Sequence, residues 1–329
     1  MGHNNIKIGI DIGSRNVRAV LAGKSRLICE PAVFALEISG GKILAFGSEA
    51  LMAASRTPGS MQLIKPFAGD ITPDKCFVDY AIKYMTDQLV GEKAQISDIA
   101  ISFSGVPDRT MESYCVEAAY NAGARNVYII DTLFAAAIGS GASIESDIVL
   151  INVGASVTDM GVYSHSKLVC SRTITAAGNA FDRTVIDEAF ENHSVRLSED
   201  EAERVKLEVA SLEALPADSE KTAEAVGIYR YSGIQRKIEL KGSEFTSQLC
   251  EVAEEIVDSV FSMFYDIHFE ISSIVLCGGS AQLPGLDSRL AKLIDVPVSV
   301  AADPSLCVIS GIDALLSGNK LGELSARKR

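Results

Sequence analysis

Residues 10–30, IDIGSRNVRAVLAGKSRLICE, lie without a gap over residues 151–171, INVGASVTDMGVYSHSKLVCS. The overlay puts Gly13 on Gly154, Leu27 on Leu168 and Cys29 on Cys170. Each copy reads as a buried strand ending in a small polar residue and glycine, a short turn, a second strand, another turn at Gly23-Lys24 or Ser164-His165, and a third strand. A meander used twice, in one register throughout, points to duplication of a whole domain.

Downstream of each copy, strands alternate with helices, the pattern of a parallel α/β sheet. The first copy leads into a strand at 99–104, a helix near 110–122, a strand at 127–130 and an alanine-rich helix from about 133. The second leads into an amphipathic helix near 245–265, a strand at 273–276, a Gly278-Gly279 turn, a helix near 286–294 and a strand at 296–300. Ahead of that amphipathic helix lies a polar insertion, 185–243, with a helix whose capping box pairs Ser198 and Glu201, and a hairpin over 228–240 turning at Ser232-Gly233.

The composition agrees with two α/β domains. At 329 residues, 47% hydrophobic and 22% charged, the chain has ample length for a core, and disorder is excluded. The net charge of −13 argues against a nucleic-acid surface; only Arg327-Lys328-Arg329 forms a basic run. Seven cysteines without a CxxC pair, and four scattered histidines, make neither a disulfide framework nor a zinc site, so a reducing cytoplasm is expected. With no apolar run near ~20 residues, neither a signal peptide nor a membrane span is expected.

The two equivalent turns, Asp11-Ile12-Gly13-Ser14-Arg15-Asn16 and Asn152-Val153-Gly154-Ala155-Ser156-Val157, are expected to face each other across a cleft and hold phosphate. Glycine lets backbone approach an anion, neighbouring N–H groups form a nest, and Ser14 adds a donor. Asp11, at a strand end, suits holding a water of Mg²⁺. Taken singly, each turn is equally well an ordinary hairpin. A third turn, Gly278-Gly279-Ser280-Ala281, could take a base or ribose, or simply join strand to helix. Lys206 and Glu208 on the insertion helix could reach the same group, or be solvated.

Further motifs extend the pattern: IGIDIGSRN (8–16), EPAVFAL (30–36), RTPGSMQLIKP (56–66), AGARNVYIID (122–131) with AAAIG (135–139), AERVKLEV (202–209), LCGGSAQLPGLD (276–287) and ADPSLCVISG (302–311). In order and spacing they resemble the MreB family of bacterial actins, from about residue 6 to 316. The resemblance implies duplicated actin-like, ribonuclease H-like α/β domains flanking a nucleotide cleft, each with a small subdomain. Domain I would be 1–147 with 307–329 (small subdomain 33–64), and domain II would be 148–306 (small subdomain 185–243). It implies ATP and Mg²⁺ as ligands and adds Glu203 to the nucleotide-binding positions. It also implies head-to-tail self-assembly into filaments in the cytoplasm, with cytoskeletal or cell-wall proteins as partners.

Several positions depart from the family pattern. The second turn lacks the usual acidic residue, triple glycine and threonine: Asn152 removes a carboxylate, Ala155 and Ser156 add Cβ atoms, and Val157 lacks a hydroxyl. Thr158 and Asp159 come directly after and could compensate. Where the family has a Glu-Glu-Pro run to orient the attacking water, this chain has Asp131-Thr132-Leu133, one methylene shorter at Asp131. A displacement of ~1 Å costs on the order of 10²-fold in rate, so slow hydrolysis is expected. Arg15 and Arg18 bring unusual positive charge; Arg18 stands where eukaryotic actin has a phosphate-binding lysine, and is equally well a solvated or inter-subunit arginine. Neither the polar N-terminus nor the loop 90–95 carries the family's amphipathic helix or exposed apolar pair, which leaves membrane contact without visible support. The altered second turn also keeps open a non-polymerising adaptor that binds nucleotide without turnover; a sugar-kinase-like enzyme fits least.

Overall fold

In the computed structural model, β1 (Ile6–Ile12) is buried from Ile8 onward, the near-continuous apolar run that a strand covered on both faces requires. Residues 5–318 are described, apart from 58, 69–71, 93, 106–107 and 214–219. The terminal Arg-Lys-Arg run, the first four residues and Lys93 of the 90–95 loop therefore lie outside the described residues.

After β1 come β2 (Asn16–Leu21), β3 (Arg26–Pro31), β4 (Phe34–Glu37), β5 (Ile43–Phe46), α1 (Ser48–Arg56), β6 (Met61–Ile64), α2 (Lys75–Val90), β7 (Ile96–Phe103), α3 (Arg109–Asn121), β8 (Ala124–Ile129) and α4 (Thr132–Ser140). The main sheet runs β3-β2-β1-β7-β8, and β7 is parallel to both β1 and β8. A small antiparallel sheet, β5-β4-β6, carries α1 beside it. Phe34 ties that sheet to the larger core: its ring lies 4.7 Å from Phe46 and 5.0 Å from Phe77, centroid to centroid.

The chain then repeats itself. β9 (Ile148–Val153), β10 (Thr158–Ser164), β11 (Lys167–Ile174) and α5 (Gly178–His193) precede β12 (Val195–Arg196), α6 (Glu199–Val209), β13 (Thr222–Tyr229), β14 (Gln235–Lys241), α7 (Thr246–Phe264), β15 (Ser273–Cys277), α8 (Leu286–Ile294) and β16 (Val298–Val300). The sheet order β11-β10-β9-β15-β16 has the same form as that of the first sheet. The main-sheet strands and α7 share one apolar core with α6, β13 and β14, from Ile151 and Leu276 to Ala225 and Leu240. Contacts divide the chain into Met1–Ala142 with Ser305–Arg329, and Ser143–Pro304, against sequence-read boundaries at 147 and 307.

Two local expectations change. The hairpin is longer than 228–240, because the alternation of buried and exposed residues in β13 begins at Thr222. The capping box at Ser198 is half made. Ser198 Oγ accepts from Glu201 N–H at 3.2 Å, but the Glu201 carboxylate turns away to Val226 N–H at 2.9 Å and to Arg204.

The last helix, α9 (Cys307–Ser317), belongs to the first unit and crosses α4 with backbone against backbone. A Cβ on Gly139 would fall 1.8 Å from Cys307 O, and one on Gly311 would fall 1.8 Å from Ala135 O. The AAAIG and CVISG stretches thus encode a reciprocal helix crossing that only glycine allows. α9 also covers β1: Lys7 Nζ donates to Leu316 O at 3.0 Å, and a side chain at Gly9 would strike Ile312. Gly139→Ala or Gly311→Ala should each destabilise the protein by about 3 kcal/mol or more, whereas Gly41→Ala, with nothing within 4 Å of the added methyl, should cost only the strain of its positive φ. Thermal or denaturant unfolding of the three variants checks the ranking.

Candidate functional site

In the first unit, β1 delivers Asp11 and β2 returns Arg18 directly opposite it. The turn between them closes through Gly13 N–H donating to Asn16 O at 3.1 Å. A Cβ on Gly13 would meet that same oxygen at 2.8 Å, so the hairpin itself demands the glycine, whatever binds there. Asp11 is only 5% exposed, and its Oδ2 lies 3.7 Å from Arg18 Nη1, an ion pair longer than a hydrogen bond. Burial pushes the Asp11 carboxyl up to about 6 from its ordinary 3.8, against the opposing pull of Arg18. Ser14, Arg15 and Asn16 are half-buried around the turn.

Beside Asp11 on the parallel neighbour β7 stands Ser102, fully buried. Its hydroxyl is 2.8 Å from that of Thr132, which also donates to Phe103 O. This pair ties the start of α4 to the strand ends near Asp11, a link that no local motif announces. Asp131 sits just ahead, exposed, with Oδ1 accepting from Phe134 N–H at 2.8 Å. It is therefore the N-cap of α4.

The second unit closes its turn the same way. Gly154 N–H donates to Val157 O at 3.0 Å, and a Cβ on Gly154 would meet Val157 O at 2.8 Å. The turn is clamped from outside. Gly178 N–H and Ser280 Oγ both donate to Gly154 O at 3.0 Å, Asn179 N–H donates to Ala155 O at 2.7 Å, and Asn179 Nδ2 to Ser156 Oγ at 3.1 Å. The turn's carbonyls thus satisfy the first N–H groups of α5, which has no side-chain cap of its own. Asn152 is buried, opposite Asp159 on β10 and beside Cys277 on β15. Thr158, which directly follows Val157, has its hydroxyl buried and donating to Ala176 O at 2.6 Å.

Lys206, at 8% exposure, points inward from α6, its ammonium 2.7 Å from Asp182 and 3.3 Å from Gly178 O, both on α5. It braces the helix that clamps the second turn. Glu208 faces outward and pairs with Arg204 at 2.8 Å, while Glu203 is half-buried on the same helix. Sequence reasoning missed Asp182; its only signal was the one-turn spacing from Gly178. In the third turn Gly278 has φ 88° and backs onto Val153, a Cβ lying 2.3 Å from the Val153 oxygen. Ala281 is buried, while Gly279 is exposed with nothing within 4 Å of where its Cβ would be. The third turn's open side is therefore at Gly279.

Among the described residues no three His, Cys, Asp or Glu side chains gather as a metal cluster. Asp11 fits Mg²⁺ in one way: a buried carboxylate, short of compensating positive charge, can accept hydrogen bonds from a hydrated cation brought by a polyphosphate. Among the described residues no helix is long and apolar enough to cross a membrane.

The profile of the MreB/Mbl protein family matches residues 5–323. The chain belongs to the MreB/Mbl family. It is 29% identical to the cell shape-determining protein Mbl of Bacillus subtilis, over 98% of each chain, and 28% identical to MreB of Escherichia coli, over 92% of this chain and 91% of that one. MreB5 of Spiroplasma citri, solved bound to ADP, superposes with a TM-score of 0.87 at 22% identity, over 97% of this chain and 98% of that one. The duplicated sheets are those of an actin-like fold.

Two measurements probe this member of the family. With Asp11 raised, the native state holds its proton through a window where the unfolded chain has lost it, so this group's contribution to stability falls as pH rises from about 4 to about 6. The stability difference between wild type and Asp11→Asn should therefore move in the wild type's favour from pH 7 to pH 5 and flatten below the ordinary value. Lys206→Met should cost about 3–5 kcal/mol by stranding the buried Asp182 carboxylate, and Lys206→Met with Asp182→Leu should recover part of that loss. Denaturant melts across pH read both.

Proposed function

We propose that this chain is an ATP-binding bacterial actin that assembles head to tail into cytoplasmic filaments serving cell shape. The observation that carries the reading is the identical closure of two turns, Gly13 to Asn16 and Gly154 to Val157, in the two copies of one sheet. Supporting it, the relatives are named cell shape-determining proteins, and MreB5 of Spiroplasma citri has been solved with both ADP and AMPPNP. Duplicated turns of matching geometry suit a ligand with several equivalent anionic groups.

In this reading the backbone amides of Gly13, Ser14, Arg15 and Asn16, and of Gly154, Ala155, Ser156 and Val157, receive phosphate oxygens, with the Ser14 and Ser156 hydroxyls beside them. Asp11 holds water of a Mg²⁺ ion, which when bound neutralises phosphate charge and polarises it. Lys206 acts through α5 by fixing the second turn. Gly278, Gly279, Ser280 and Ala281 border the base or ribose at the open side of Gly279, and Glu203 and Glu208 reach it from α6. Asp131 orients water for hydrolysis while capping α4, and that shared duty keeps turnover slow. Nucleotide favours assembly only through its higher affinity for the assembling conformation.

Asn152 in place of a carboxylate favours a second reading, an actin-fold adaptor that binds nucleotide without turnover or polymer. Sedimentation and negative-stain microscopy with ATP and Mg²⁺, with ADP and without nucleotide separate the two. Pelletable filaments with slow phosphate release are expected. Nucleotide binding without polymer under any condition selects the adaptor, and Asp11→Ala with unchanged Mg-ATP affinity refutes the site.

A further inference from the structure

We propose that the tip of the β13–β14 hairpin is a docking surface whose partner is the exposed face of α7 on a second copy of this chain. The inference rests on the filament reading above and deepens it by naming two surfaces through which copies meet.

The tip is a closed, projecting loop. Tyr229 N–H donates to Ile234 O at 3.0 Å and Gly233 N–H to Tyr229 O at 2.9 Å, while Tyr231 and Ile234 stand 72% and 69% exposed. Residues 229–238 contain Arg230, Arg236 and Lys237 and no acid, in a chain of net charge −13. Lys237 is matched by Glu224 at 2.6 Å. The arginines lean on rings instead: Arg230 lies 5.1 Å from the Phe190 centroid and 5.2 Å from that of Tyr231, and Arg236 lies 4.6 Å from that of Tyr229. Neither arginine forms an ion pair among the described residues. A ring face holds a guanidinium in place without neutralising it. The cations are thus ordered before any partner arrives, which removes part of the entropy cost of binding, and Arg and Tyr are residue types that dominate protein contacts.

The complement lies on α7. That helix buries Leu249, Ala253, Ile256, Val257 and Val260. Its outer face presents Glu251, Glu255 and Asp258 at one-turn spacing, then Phe261 and Tyr265, the last 85% exposed. Glu254 is taken by Arg289, but the three outward carboxylates have no ion pair among the described residues. Carboxylates leading into aromatics along one helix face match arginines leading into Tyr231 and Ile234.

Charge favours a second copy over an anionic lipid surface. Lipid headgroups would meet the arginines but repel the acidic remainder of the chain, whereas another copy brings carboxylates and rings together. The two surfaces differ, so each engaged copy still offers one of them to the next, and such a heterologous contact propagates.

The test is a charge exchange in full-length protein: Arg230→Glu with Arg236→Glu, Glu255→Arg with Asp258→Arg, and all four together. Sedimentation with ATP and Mg²⁺ reads assembly, while thermal melts and ATP calorimetry confirm that each variant folds and binds nucleotide. Either pair alone should raise the critical concentration about tenfold or more, and the four together should bring it back to within about threefold of wild type. Tyr231→Ser should raise it as well. A folded, nucleotide-binding Arg230→Glu, Arg236→Glu chain that pellets like wild type overturns the proposal, as does a fourfold variant no better than either pair. It is overturned equally if that chain assembles normally but loses binding to phosphatidylglycerol–phosphatidylcholine vesicles that wild type shows. Wild type that binds ATP yet never pellets overturns the filament reading itself.

Discussion

Where α4 and α9 cross, no side chain separates them. Gly139 faces Cys307 O and Gly311 faces Ala135 O, closer than any Cβ could approach. Protein interiors transmit position through such contacts because close-packed backbone cannot give way as a flexible side chain can. From this crossing the rest of the first unit takes its reference. α9 anchors β1 through Lys7 and the bare face at Gly9, and it anchors the turn after β2, where Asp313 accepts from Gly23 N–H at 2.9 Å. α4 in turn starts at Asp131 and is pinned to β7 by Thr132 and Ser102. The strand that ends at Asp11 and the helix that begins at Asp131 are thus registered against one packing event.

The second unit solves the corresponding problem with hydrogen bonds and one buried ion pair. Its turn is held by the first amides of α5, by Ser280, and through α5 by Lys206 and Asp182. A half-made pair at that depth would be costly, since the remaining charge would have neither solvent nor partner. The two units share a backbone design down to the turn hydrogen bond, yet they are stiffened by different chemistry.

The repeat was legible because it is local: strand, turn and strand succeed one another, and alternating burial with a glycine at the bend fixes the register. Five helices were legible, α3, α4, α6, α7 and α8, and at α6 the cap Ser198 was too. Helices α1, α2, α5 and α9 were not read from the sequence, and the caps Asp108 and Asp131 emerge only from the structure. What the sequence obscured is tertiary. A lysine in AERVKLEV looks the same whether it meets water or Asp182. Glu201 at the third helical position signals a capping box, but the neighbouring strand β13 supplied a better donor at Val226. The motif glycines were ambiguous in another way: Gly13, Gly154 and Gly278 are all demanded by neighbouring backbone, so their presence alone cannot distinguish a ligand cradle from a tight bend. The divergent positions around them, Asp11 against Asn152 and Arg18 against Asp159, carry the chemical information.

The first unit is assembled from the two ends of the chain. A ribosome delivers residues 143–304 in full before it reaches Cys307, so the carboxy-terminal half can finish while the amino-terminal half still waits for the helix that covers β1. Domains made in order commonly mature in order; here the order is reversed for the half made first. Until residues 307–317 have been made, the apolar flank of β1 around Gly9 and the glycine face of α4 have no native cover, and the nascent chain carries that exposure throughout the making of the second unit.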